Sequence, residues 1–225
     1  MPPRETFTTT PATGGPGQAT AARPPAGWSR TDQHRRAAGR LRARRALGLV
    51  RALDRRDRRT AEHSRTVGRY AAETARQLGL SGDRVKRVRL AGILHDIGKI
   101  RLADSILNKA GPLSAAEWIE VRRHPEVGAA ILAGVEFEDI RQWMLAHHER
   151  PDGQGYPLGL SGEQIPLEAR ILAVADAYEA MTSDRVYRPA LAPEDARCEL
   201  RRGAGTQFDP QIVEAFLERL DRAAA

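Results

Sequence analysis

The sequence predicts an all-α fold, a helical bundle with a disordered N-terminal tail and a basic N-terminal helix. Three observations predict it. Ala, Leu and Arg dominate the 225 residues while aromatics make up only 5%, and these residue types lose little freedom on entering a helix. Helix start and stop signals recur at helix-length spacing. No apolar/polar alternation marks a strand.

Taken in order, residues 1–30 are rich in Pro, Thr, Gly and Ala, with little to bury, and read as disordered. Their Arg-rich, acid-poor character bears a faint likeness to a transit peptide. Residues 31–56 carry Leu41, Leu47, Leu49, Val50 and Leu53 among arginines, the pattern of a basic amphipathic helix. That helix reads as a solvated face capping the domain, or as a surface for nucleic acid, an anionic membrane or a protein partner. The net charge of +7 is unevenly placed: residues 1–60 hold 14 arginines against 4 acidic residues, a net of +10, so the remainder carries −3.

Residues 57–225 read as consecutive helices. One runs from Thr60 to Leu78 and stops at Gly79; a second runs from Asp83 to about Ile97. A third begins at Ser114 with Glu117 three residues on, a capping box, and ends near Pro125. Short helices follow at Glu126–Leu132 and Glu138–His148, then a Gly/Pro-rich loop from Pro151 to Gly162. A long apolar helix covers Leu167–Met181, and two more cover Pro193–Arg202 and Asp209–Leu220, the last opened by Asp209-Pro210.

The chemistry lies in the histidines and aspartates of this part. Of six histidines, only His34 falls outside it. His95-Asp96 ends the apolar run Val88–Leu94, and an imidazole and a carboxylate buried there need a partner; a metal ion supplies one. Asp176 repeats the case within Ile171–Ala177, where an arginine partner is the competing reading. His147-His148 opens a segment ending Gly155-Tyr156-Pro157, a loop of defined shape. With His63 and His124, these residues supply five imidazoles and two carboxylates, too many for one tetrahedral ion and suited to two ions sharing a carboxylate and a water. Mixed N/O ligation favours Fe or Mn, with Zn or Mg less apt. Two such ions lower the pKa of a shared water and screen phosphate charge. Lys99, four residues after His95, falls one helical turn from it and would neutralise a phosphate oxygen.

These residues resemble the HD-GYP subfamily of HD-domain phosphohydrolases over roughly Asp57 to Leu220. His95-Asp96-Ile97-Gly98-Lys99 is similar to the family's HD-x-x-K signature, and His147 to Pro157 matches all eight fixed positions of HHE-x-x-DG-x-GYP. His124-Pro125 with Gly128-Ala129 resembles its HP-x-x-GA element, and the stretch from Asp176 through Asp184, Arg185, Tyr187 and Arg188 its final aspartate and basic substrate-contacting segment. The resemblance implies an HD-domain bundle that hydrolyses cyclic di-GMP to linear pGpG, with GMP as a further product, by attack of a hydroxide bridging two divalent ions. It implies that His63, His95, Asp96 and Asp176 hold one ion. Asp96 would bridge to a second, held by His124, His147 and His148. Lys99 and Arg185 would contact phosphate, Arg188 the phosphate or a guanine, and Tyr156 would shape the substrate pocket. GGDEF-domain proteins are implied partners of the GYP loop. In some members a glutamate four residues before the first metal histidine helps to hold a third ion. Here that position is Arg59, so a two-metal site is expected, with cleavage stopping at the linear dinucleotide.

A single cysteine, Cys198, and the lack of an eighteen-residue apolar run or a signal-peptide segment point to a cytoplasmic protein. Two other functions compete with cyclic di-GMP hydrolysis: hydrolysis of another nucleotide by the same HD core, and a non-enzymatic module binding GGDEF partners or nucleic acid.

Overall fold

A computed structural model of the protein describes residues 48–49, 51, 55, 58–133, 137–184 and 189–224. The expected tail, most of the basic helix, and both Arg185 and Arg188 lie outside the described residues. Nine α-helices follow residue 57 among those described: α1 (Arg58–Gln77), α2 (Gly82–Leu94), α3 (Asp104–Leu107), α4 (Ala115–Arg122), α5 (His124–Ile131), α6 (Glu138–Leu145), α7 (Leu167–Thr182), α8 (Pro193–Gly203) and α9 (Pro210–Ala224). The all-α expectation holds, and among the described residues no helix is long and apolar enough to cross a membrane.

Local chemistry sets the boundaries. Ser81 accepts from the Arg84 N–H to start α2. The Ser114/Glu117 capping box is formed at α4, and Asp209 accepts from the Gln211 N–H at 2.8 Å to start α9. Two expectations need correcting. The second helix ends at Leu94 and not near Ile97; a separate 3-10 helix, Ile97–Arg101, follows it. The helix begun at Ser114 stops at Arg122, and Pro125 lies in the first turn of α5, where its missing N–H costs nothing.

The core is built where α1, α2, α7 and α9 meet, from Val67, Ala71, Val88, Leu94, Leu172, Ala175 and Phe216 among others. Glycine lets two crossings close. A Cβ on Gly92 would stand 2.6 Å from the Gly68 Cα, so α1 and α2 touch backbone to backbone. That contact brings the helix bearing His63 against the one ending at His95. A Cβ on Gly98 would stand 2.0 Å from the His124 carbonyl oxygen and 2.8 Å from the Gly128 nitrogen. Only a glycine there lets the 3-10 helix seat against the start of α5.

Candidate metal centre

Those two crossings gather the histidines and aspartates singled out in the sequence. His63 comes from mid-α1, His95 and Asp96 follow the end of α2, His124 opens α5, His147 and His148 lie in the turn after α6, and Asp176 is on α7. His63, His95, Asp96, His124 and His147 are all buried.

Three of the rings are aimed in the same way. Nδ1 of His95, His124 and His147 each lies 2.5–2.7 Å from the carbonyl oxygen three residues earlier, those of Gly92, Val121 and Met144. A carbonyl only accepts, so each Nδ1 carries the proton and each Nε2 presents a lone pair. The lone pairs converge: His124 Nε2 and His147 Nε2 face each other at 3.4 Å, two acceptors with no proton between them. His95 Nε2 and Asp96 Oδ1 are buried with no hydrogen-bond partner, an arrangement that costs about 1–3 kcal/mol per group unless a cation satisfies it. Asp96 divides its oxygens: Oδ2 faces His95 at 3.5 Å and His63 at 3.7 Å, while Oδ1 faces His124 at 3.3 Å. His63 Nε2 lies 3.1 Å from Asp176 Oδ1.

Donor atoms of His63, His95 and Asp176 fall within 4.8 Å of one another, as do those of His124, His147 and His148, and those of His95, Asp96 and His147. These residues could hold metal ions in two adjacent groups with Asp96 between them. Among the described residues Asp176 meets His63 and His95.

The electrostatics suit cations. Burial opposes the charge on Asp96, yet Lys99, with His95, His124 and His63, holds its carboxyl well below the usual range. Burial drives His124 down to about 3, His148 to about 4, and His147 well down, so these rings are neutral ligands at pH 7. His63 goes the other way: burial disfavours its charge, but hydrogen bonds to Asp176 and Glu179 outweigh that and raise it to about 9.

A pH dependence follows for the metal-free protein. An unfolded histidine takes a proton near pH 6.5, whereas the folded His124, His147 and His148 refuse it until about pH 4 or below. Their contribution is intact above pH 6.5 and lost as pH falls toward 4. His63 behaves oppositely, its contribution fading as pH rises from 6.5 through 9. The melting temperature of chelator-treated protein should therefore drop on the order of 10 °C between pH 7 and pH 4.5, and unchanged calorimetric midpoints would contradict the neutral-ring assignment.

Lys99 reaches the centre differently from the expectation. The 3-10 turn places its Nζ 2.6 Å from Asp96 Oδ2, three residues back, and not one α-helical turn from His95. Tyr156 stacks on His148 with centroids 4.8 Å apart, and the Arg122 guanidinium lies over its ring at 5.2 Å. Arg59 falls on α1, and the third-ion question stays an expectation.

At the centre and its loop, two buried carboxylates were missed by sequence reasoning. Glu179, one turn after Asp176 on α7, holds the outer nitrogen of His63 and accepts from Ser183 Oγ at 2.7 Å. Glu149 accepts from the N–H groups of Leu158 at 2.6 Å and Leu160 at 2.9 Å, folding the Gly-Tyr-Pro loop back onto its own start. Gly155 permits that fold, because a Cβ would stand 2.4 Å from the Arg150 nitrogen. The centre opens on a cavity of about 1190 Å³ bordered by His63, Lys99, His124, His148 and Tyr156. A smaller cavity of about 310 Å³ reaches His147 and Asp176 behind the loop.

The family model described as "HD domain" matches residues 49–212. The chain belongs to the HD-domain family. Among curated HD relatives it is 43% identical over 172 residues to the cyclic di-GMP phosphodiesterase response regulator RpfG of Xanthomonas campestris, covering 75% of this chain and 46% of that protein. It is 36% identical over 180 residues to 3'3'-cGAMP-specific phosphodiesterase 2 of Vibrio cholerae, covering 79% and 34%. The chain thus spans less than half the length of either relative. The HD domain of the Listeria monocytogenes phosphodiesterase PgpH, solved with cyclic di-AMP, shares the fold with a TM-score of 0.56 at 20% identity, over 79% of this chain and 95% of that one.

Proposed function

We propose that the protein is a metal-dependent phosphodiesterase that hydrolyses a cyclic dinucleotide, cyclic di-GMP first among them, to the linear dinucleotide. The observation that carries this is Asp96, a buried carboxylate whose two oxygens face two separate groups of histidines. His63, His95, Asp96 and Asp176 would hold one ion and Asp96, His124, His147 and His148 the other, with Fe or Mn favoured by the mixed N/O donors. When bound, two such ions would lower the pKa of a water and screen the charge on phosphorus.

The chain's own residues do the rest. Glu179 holds the His63 ring in place through its outer nitrogen, and the three backbone carbonyls hold His95, His124 and His147. Lys99 pairs with Asp96 and lines the cavity, where it would balance a non-bridging phosphate oxygen as negative charge grows there. Tyr156, pinned between His148 and Arg122, walls the cavity. Arg185 and Arg188 would add phosphate and guanine contacts. The names of the relatives and the Gly-Tyr-Pro segment favour a cyclic dinucleotide over a simple phosphate ester.

Purified protein reconstituted anaerobically with Fe(II) or Mn(II) should convert cyclic di-GMP to pGpG, followed by chromatography beside 3'3'-cGAMP and a simple phosphate ester. Equally negligible turnover by wild type and Asp96→Ala would sink the catalytic reading.

A further inference from the structure

We infer that Trp118 is a stacking platform for one purine base of the substrate, an inference resting on the cyclic-dinucleotide reading above. Helix α4 buries none of its residues, yet it carries an indole that is 50% exposed. Trp118 and Val121 line the same 1190 Å³ cavity as His63, Lys99, His124 and His148. A large apolar ring half in water on the rim of a polar site has no role in holding ions or in proton movement. It takes part in no ring stacking or cation–π pairing among the described residues.

Tyr156, the other Tyr, Trp or Phe among the described residues lining this cavity, is already engaged. Tyr156 is stacked on His148 and lies under Arg122, so its role is to wall the site. Among the described residues that line the cavity, that leaves the indole as the aromatic face still open to a base. Its setting is firm: the Ser114/Glu117 capping box fixes the first turn of α4, and Lys109 Nζ bonds Glu117 Oε2 at 2.6 Å, tying the 108–113 loop to the same turn. Leu102, Ile106, Leu107 and Leu113 supply an apolar wall to this part of the cavity. The volume exceeds the roughly 300–1,000 Å³ usual for small-ligand pockets, leaving room for a base to extend from the reacting phosphate to α4. Every nucleobase has a π face, and stacking on an aromatic side chain is worth about 1–3 kcal/mol per base.

The test compares metal-reconstituted wild type with Trp118→Leu, which keeps apolar bulk without a ring, and with Trp118→Phe. Each is assayed on cyclic di-GMP and on bis(p-nitrophenyl) phosphate, a diester with no purine. Trp118→Leu should raise KM for cyclic di-GMP about tenfold while kcat changes far less. The ratio of kcat/KM on the two substrates should fall by a similar factor, and Trp118→Phe should recover most of the loss. A KM for Trp118→Leu within about twofold of a wild type that turns over cyclic di-GMP overturns the platform and leaves the proposed function standing. An equal drop on both substrates also overturns it, because the indole would then serve the fold. A wild type inactive on every cyclic dinucleotide overturns the proposed function and this inference together.

Discussion

Asp96→Asn should leave the protein without bound metal and lower turnover of cyclic di-GMP by at least about a thousandfold, roughly 4 kcal/mol of barrier at 1.36 kcal/mol per tenfold. The substitution keeps the shape of the side chain. It replaces one acceptor oxygen with an amide nitrogen that has no lone pair for a cation, and it removes the charge. Among the described residues Asp96 is the carboxylate that faces both histidine groups, with Oδ1 toward His124 and Oδ2 toward His63 and His95. Loss of a donor on one side alone would leave the other group complete; loss of Asp96 leaves neither complete. Elemental analysis per chain, read beside the rate, checks this. A variant that retains two ions and loses only rate would show that Asp96 is not shared.

Glu179→Gln should weaken metal affinity about 10- to 100-fold, the usual effect of removing an outer partner of a ligating histidine. Glu179 is buried and bonds the ring nitrogen of His63 that faces away from Asp176. Glutamine retains the size and a carbonyl acceptor but loses the charge that makes the ring basic. Because His63 is raised to about 9 in the metal-free protein, its proton must leave when an ion is taken up at pH 7. The variant should release less of that proton, which calorimetry in buffers of different ionisation enthalpy detects. Competition against a chelator of known affinity gives the affinity loss. Unchanged affinity and unchanged proton release would show that Glu179 serves packing alone.

What the sequence revealed, and what it hid, divides along local and long-range chemistry. The Ser114/Glu117 box and Asp209-Pro210 are written within four residues, and both helix starts formed as expected. Of the seven candidate ligands, His95, Asp96 and Asp176 were legible because an imidazole or a carboxylate in an apolar run needs a partner, His147 and His148 as an adjacent pair opening a Gly/Pro-rich loop, and His63 and His124 through the family resemblance. Glu179 was not legible: its partner His63 is 116 residues away, and a glutamate within α7 looks like any solvated charge until α1 packs beside it. Glu149 was part of a quoted motif, but its task depends on a loop that turns back only because Gly155 admits Arg150. The position of Lys99 was misjudged because the apolar run hid the break after Leu94, where the chain tightens into a 3-10 turn so that Gly98 can meet His124.

The carbonyls of Gly92, Val121 and Met144 all belong to the closing turns of α2, α4 and α6. Backbone already committed to helix therefore orients the three imidazoles before any ion arrives. Taking up an ion should therefore ask for little reorganisation of these three side chains. Stripping the centre with a chelator should likewise leave an intact bundle at neutral pH, ready to be refilled.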